Sequence, residues 1–418
     1  MNKDKIPQGY KNSPLGIIPE DWEVKRLRDC CIGKGKYGIN APAIEYSDSL
    51  PTYLRITDID DEGKFISHNK KSVRNSNTNN YFLEKGDVVF ARTGATVGKT
   101  YLHDEKDGNL VFAGFLIRFK PDEKMILPYF LKLFTTTHMY WDWVKTISAR
   151  SGQPGINAEE YGSLRICIPP LSEQHKIAEI LICWDEAIEK QTQLIEKLET
   201  RKRGLMQQLL TGKKRIKGFE NEWKKIELGS VATINRGGSP RPIKKFITSK
   251  ETGINWIKIG DVDEGAKFIE RTKEKIIEEG VLKSRQVFKG DFLLSNSMSF
   301  GRPYILKIDG CIHDGWLVIQ DYSNAFNIDY LFYVLGFETT LSQYKSLAAG
   351  SGVLNLNKEK VKMVVLFHPS IEEQTAIANI LSIADDEIQK EMELLTALRS
   401  QKKGLMQQLL TGKKRVKI

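Results

Sequence analysis

The sequence predicts an α+β fold: two mixed α/β globules and two long helices paired antiparallel as a coiled coil, related by an internal pseudo-two-fold. Three observations predict it. The chain repeats itself at an offset of 200 residues. The closest copies step their apolar residues by four and three, the spacing of a helical seam. The remainder alternates short β-rich runs with Gly-, Asn- and Ser-containing turns.

Taken in order, residues 1–168 make the first globule, 169–215 the first helix, 216–368 the second globule and 369–418 the second helix. The repeat is plainest at the helix ends. KRGLMQQLLTGKKRIK (202–217) returns as KKGLMQQLLTGKKRVK (402–417), and Gly204 to Arg215 is identical to Gly404 to Arg415. Upstream, Glu173-Gln174 matches Glu373-Gln374 and Trp22 aligns with Trp223. LRITDID (54–60) aligns with IKIGDVD (257–263), and GDVVFARTG (86–94) with GDFLLSNSM (290–298). The helices are close copies while the globules share only a framework, the pattern of one scaffold carrying two different readers. Strands are expected at VVFAR, VFAGFLIRF and LRICI in the first globule and at FLLSN, WLVIQ and VKMVVLF in the second. One helix is expected near 127–143, with its counterpart near 328–345.

The first long helix carries a seam of Ile177, Leu181, Trp184, Ile188, Gln191, Ile195, Leu198, Lys202, Leu205 and Leu209. The second repeats it as Ile377, Leu381, Ala384, Ile388, Glu391, Leu395, Leu398, Lys402, Leu405 and Leu409. Pro169-Pro170 and Pro369 mark the starts, Ser370 with Glu373 reads as a capping box, and Gly212 and Gly412 sit where C-cap glycines belong. A helix of about 38 residues spans roughly 57 Å. Each helix is acidic early and basic at its end, so antiparallel pairing sets unlike charges together and places the globules at opposite ends of a rod. Heptad counting sets Lys202 opposite Glu391 and Lys402 opposite Gln191, with the first turns of both helices outside the overlap.

The net charge of +10 is a nucleic-acid signature in sum, but it is unevenly placed. Residues 1–170 carry 24 basic and 21 acidic groups, and 218–370 carry 21 and 18. The excess lies in 201–217 and 401–418, which hold no acid at all. Near-neutral globules attract phosphate weakly on their own. The N-terminus lacks the layout of a secretory signal, and no apolar run approaches a membrane span. Five scattered cysteines without CxxC spacing argue against a disulfide framework or zinc ribbon and fit a reducing cytosol.

Catalytic motifs are absent or defective. GATVGKT (94–100) follows a strand like a phosphate loop, but Gly94 to Gly98 leaves three intervening residues where that loop needs four. GKGKYG (33–38) matches GxGxxG in letters, yet INAPAIEY follows it and gives no helix start. The six histidines form no HExxH or other metal-ligand spacing. An [ND]PP[YF] element of amino-methyltransferases and a PD…[DE]xK nuclease pattern are both missing. The expectation is a non-catalytic chain with no cofactor or metal of its own.

PPLSEQHKIAEIL (169–181), the repeated GLMQQLLTGK, IPEDWEVKRL (18–27) and GDVVFARTGATVGK (86–99) resemble the specificity (S) subunit of type I restriction–modification enzymes. The resemblance covers nearly the whole chain, in the order target-recognition domain, conserved helix, target-recognition domain, conserved helix. It departs in the second copy of GDVVFARTGATVGK, which is degenerate. The resemblance implies a cytoplasmic subunit that reads a split double-stranded DNA sequence, one domain per half. It also implies two methyltransferase (M) subunits and restriction/translocase (R) subunits as partners, with S-adenosylmethionine, ATP and Mg bound there. Half-sites on one DNA face lie about 34–36 Å apart, which a rod of this length bridges. Base readers should be loop side chains with paired donors and acceptors. The candidates are Lys34, Lys36, Arg92, Thr93, Lys99 and Gln153 in the first domain. In the second they are Arg236, Ser239, Arg241, Asn296, Ser297, Ser299, Arg302 and Asn355. A coiled-coil adaptor whose two globules bind other proteins is the alternative; the divergence of the globules favours an asymmetric bipartite target.

Overall fold

The computed structural model describes residues 6–149, 154–263, 265–296, 301–348 and 356–417. Two compact units emerge, and their boundaries cut through the two long helices. The first joins Met1–Thr192 to Leu394–Ile418, and the second is Gln193–Glu393. Each thus contains one α+β body, the first half of one long helix and the last half of the other. The long helices run over Leu171–Leu209 and Ile371–Leu409.

In the first unit an antiparallel sheet orders its strands Lys36–Tyr37, Leu116–Phe119, Val88–Ala91 and Thr100–Leu102. Beside it runs Leu110–Phe112, Thr52–Leu54, Lys71–Ser72, Ile44–Glu45, whose first pair is parallel. The second unit enlarges both sheets to five strands around the same centre: Thr233–Arg236, Trp316–Gln320 and Phe292–Ser295 in one, Ile254–Ile257 and Gly310–Ile312 in the other. Registers agree between units. Val88 pairs with Phe119 and Phe292 with Ile319. Each body is closed by an antiparallel ribbon that brings its two ends together, Glu23–Arg26 with Arg165–Ile168 and Lys224–Glu227 with Val365–His368. VKMVVLF therefore splits, its start belonging to the helix Lys358–Lys362 and only its end to a strand.

The single helix expected near 127–143 is two helices, Pro128–Phe134 and His138–Ser148. Thr135, Thr136 and Thr137 turn their hydroxyls onto the carbonyls of Lys132, Leu133 and Phe134, and Thr137 then caps the second helix. The counterpart is likewise broken, into Ile328–Leu335 and Glu338–Ala348.

On Pro128–Phe134, Lys132 occupies the position that Phe332 holds in the second unit. Its ammonium donates to the carbonyl and hydroxyl of Thr100, at 2.6 and 3.1 Å. Burial pulls its pKa down to about 8, with Asp60 opposing the shift and Lys402 adding to it. A lysine depressed on folding binds fewer protons folded than unfolded between about pH 8 and 10.5, so stability rises with pH through that window. Lys132→Met should therefore stabilise the first unit at pH 7 by on the order of 1–2 kcal/mol and flatten the rise. Thermal melts at pH 7 and pH 10 check this; an equal increment at both pH values would refute it.

The long helices pair antiparallel within each unit. In the first, Asp185 meets Lys402 at 2.5 Å and Glu173 meets Arg415 at 2.7 Å, so positions rise along one helix as they fall along the other. In the second, Lys202 pairs with Asp385 and Arg215 with Glu373. No apolar seam residue is exposed, and Ile177, Leu181, Ile377, Leu381, Leu209 and Leu409 are buried. The expected register is wrong, however. Lys202 and Lys402 meet Asp385 and Asp185, six residues before the Glu391 and Gln191 expected from heptad counting. Six residues are about 9 Å of helix. A lysine at a seam position snorkels to a carboxylate on the flank of the partner, where a phenol from the α+β body also donates: Tyr129 to Asp185 at 2.5 Å and Tyr333 to Asp385 at 2.6 Å. Reversing Lys202 to Asp, or Asp385 to Lys, should each cost about 2 kcal/mol, and combining them should recover part of it. Strict additivity in melting experiments would count against this pairing.

The first turns are not left outside the overlap either. Glu173 is fully buried; it accepts from the indole of Trp22 at 2.9 Å and from Arg415 at 2.7 and 2.8 Å. Glu373 accepts likewise from Trp223 and from Arg215, all at 2.8 Å. At the capping box, Ser370 does accept from the amide of Glu373, but the Glu373 carboxylate serves Arg215 and Trp223. Gly212 and Gly412 end the helices at φ +70° and +71°. A Cβ on Gly412 would lie 2.5 Å from Cδ of Pro19, beside Trp22, so the cap is also a docking point.

Candidate nucleic-acid interface

Each unit presents an equivalent corner where three segments meet. One is the end of the central strand after Val88–Ala91 or Phe292–Ser295. Another is the turn at 113–115 or 313–315, and the third is the glycine-containing loop after the edge strand. In the first unit the amide of Arg92 donates to the carbonyl of Phe115 at 3.0 Å; in the second the amide of Asn296 donates to the carbonyl of Gly315 at 3.0 Å. Gly38 and Gly237 occupy the same place. A Cβ at either would lie 2.2 Å from the carbonyl of Ala113 or His313, so only glycine lets these loops close. That is the steric role Gly38 has in GKGKYG.

The side chains at the two corners differ. In the first, the Arg92 guanidinium stacks 4.9 Å above the ring of Tyr37, and its buried Nε has no hydrogen-bond partner among the described residues. Phe115 stands 57% exposed at the turn. Thr93 bridges to Gly155 and opens the turn at Gly94–Thr96. Lys99 is drawn to Asp61 at 2.6 Å, and Lys36 donates to the Asn80 carbonyl at 2.8 Å while lying over Tyr81. Lys34 is exposed on the preceding turn.

In the second corner four of the sequence candidates gather on one residue, Asp314. Its carbonyl accepts from Arg236 Nε and from the side-chain Nδ2 of Asn296, both at 3.0 Å. Its carboxylate accepts from Ser239 at 2.7 Å, and the Arg241 guanidinium stands 3.8 Å away. Asn296 is buried, whereas Arg236, Arg241 and Arg302 are exposed. Gln153, Ser297, Ser299 and Asn355 lie outside the described residues. Sequence reasoning missed Asp314, Tyr37 and Phe115. The Asp314-Gly315 dipeptide, a turn signal between two apolar runs, was the available clue to the first of them.

The basic helix ends divide into two kinds of residue. Arg215 and Arg415 are spent on buried carboxylates, while Lys213, Lys214, Lys413 and Lys414 are exposed. Among the described residues no group of three or more His, Cys, Asp or Glu side chains is placed to hold a metal ion. No helix there is long and apolar enough to cross a membrane.

Two α+β bodies with equivalent but unlike corners, each set on paired long helices, define a duplicated recognition scaffold. Residues 19–200 and 220–398 both match the type I restriction modification DNA specificity domain, and the chain belongs to that family. It is 26% identical over 431 residues to the type I restriction enzyme MjaVIII specificity subunit of Methanocaldococcus jannaschii, covering 96% of this chain and 94% of that one. It is 25% identical over 312 residues to the EcoKI specificity subunit of Escherichia coli, covering 71% and 63%. A solved chain from the assembly of a type I R-M system shares the fold with a TM-score of 0.62 at 18% identity, covering 95% of this chain and 99% of that one. The S subunit from M. genitalium does so with a TM-score of 0.55 at 14% identity, covering 97% and 98%.

Proposed function

We infer that this chain is the non-catalytic DNA-reading subunit of a type I restriction–modification complex. Each unit reads one half of a bipartite target, and the chain assembles with methyltransferase and restriction subunits that carry the chemistry. The observation behind this reading is that the two corners share a backbone and differ in side chains. Tyr37, Arg92 and Phe115 stand where the second unit has Arg236, Asn296 and the Asp314–Gly315 turn. A shared frame with divergent tips suits two different half-sites better than one repeated partner. Ile182 and Ile383, open on the first and second long helices, offer apolar surface to protein partners.

The test is co-expression with the methyltransferase of the same system, followed by methylome sequencing. A two-part methylated motif with a fixed gap is the expected result. A stable complex that adds no methylation would instead favour the adaptor role.

A further inference from the structure

We propose that Asp314 and Arg241 read the two edges of one C·G base pair in the half-site of the second unit. Asp314 accepts from the cytosine N4 amino group and Arg241 donates to guanine O6 and N7. This rests on the functional reading above and deepens it.

A carboxylate on a surface that meets phosphates is unfavourable unless it accepts from a donor on the nucleic acid, and the only such donors in the major groove are the amino groups of cytosine and adenine. Adenine is matched by an amide, which can donate to N7 as well as accept from N6. A carboxylate has nothing to donate, so cytosine is the better fit. Asp314 is kept in that acceptor-only state. The hydrogen bond from Ser239 outweighs partial burial and holds its carboxyl below the usual range.

Geometry leaves the group available. The Asp314 side chain is 38% exposed, and Ser239 engages only Oδ1. Arg241 is 84% exposed and stands 3.8 Å from Oδ2, beyond hydrogen-bond range, so the pair can open onto a base pair without breaking a bond. The turn itself is fixed from behind: Arg236 and Asn296 hold the Asp314 carbonyl, and Ser284 ties the loop through the carbonyls of Gly238 and Ile312, at 2.8 and 3.1 Å. A reading group on a rigid turn discriminates better than one on a mobile one. In the first unit the equivalent turn position is Gly114, so that half-site lacks this reader.

The experiment compares methylomes of the complete complex carrying the native chain, Asp314→Asn, Asp314→Ala or Arg241→Ala. Asn keeps an oxygen for Ser239 and so preserves the turn. We expect the Asp314 variants and Arg241→Ala to lose about tenfold or more in discrimination at the same C·G position, with the other half-site and the gap unchanged. A native bipartite motif that every variant reads as strictly overturns the proposal. So does a uniform loss of methylation by a normally melting Asp314→Asn, which would make Asp314 a positioning residue. A native complex with no bipartite motif would instead defeat the functional reading on which the proposal stands.

Discussion

Exchanging residues 216–368 for the equivalent body of a relative should change one half of the methylated motif and leave the other half and the gap as they were. The structure explains why the exchange is mechanically feasible. Lys224–Glu227 pairs with Val365–His368, so the two ends of the body leave it side by side. The Tyr330 hydroxyl donates to the Phe367 carbonyl at 3.1 Å and binds that strand to the core. The cut ends therefore fall outside a closed sheet. What the incoming body must match is the helix face it packs on, because Leu209, Leu210, Ile377, Ala378 and Leu381 share a core with Leu228, Tyr330 and Leu331. Donors with an unchanged apolar face there should fold. If both halves of the motif changed, or the gap moved by several base pairs, independent reading would be wrong.

Arg415→Ala should destabilise the first unit by about 3 kcal/mol, because it strands a carboxylate with no access to water. Glu173 is fully buried, and after the substitution only the Trp22 indole would face it. The loss extends outward, since Arg415 also holds Asp21 at 2.7 and 2.9 Å and the hydroxyl of Tyr10 donates to the Gly412 carbonyl at 3.0 Å. For a unit of this size the melting temperature should fall by roughly 6–12 °C. Adding Glu173→Gln should recover much of the loss, because the buried charge disappears with its partner. Calorimetry, with hydrogen exchange in the first turns of Leu171–Leu209, reads both effects. A double variant less stable than Arg415→Ala alone would show that the carboxylate matters for another reason.

Periodicity and repetition carry far in this chain. The seams were legible because apolar residues recur every three or four positions over about four and a half heptads. Trp22 and Trp223 were legible as equivalents, and they do the same thing, each donating to the buried glutamate of a long helix. The register was not legible. Heptad counting ranks seam positions only, whereas Asp185 and Asp385 lie off the seam and are held there by tyrosines from the α+β bodies. The break in the helix near 127–143 turned on three threonine hydroxyls bonding to carbonyls, a local competition that apolar spacing does not register. Asp314 was hidden for a different reason. Its importance comes from Arg236, Ser239, Arg241 and Asn296, which approach it only once loops up to 78 residues apart in the chain have closed. The destination of the charge excess in the two helix ends was not legible either, because an arginine carries the same charge whether it faces solvent or a buried glutamate.

The discontinuity of the first unit has a consequence for how the chain is made. The second unit is one uninterrupted stretch, Gln193–Glu393, and can close as soon as that stretch has left the ribosome. The first unit cannot, because Leu394–Ile418 belongs to it and is synthesised only after the whole of the second unit. From the moment Thr192 emerges, Ile177, Leu181 and Glu173 wait for Met406, Leu409, Leu410 and Arg415. At about 5–20 residues per second that interval is roughly 10–45 s. The N-terminal body, although translated first, is thus the last to be completed, and its uncovered helix face is the nascent chain's point of exposure to chaperones and to other unfinished copies.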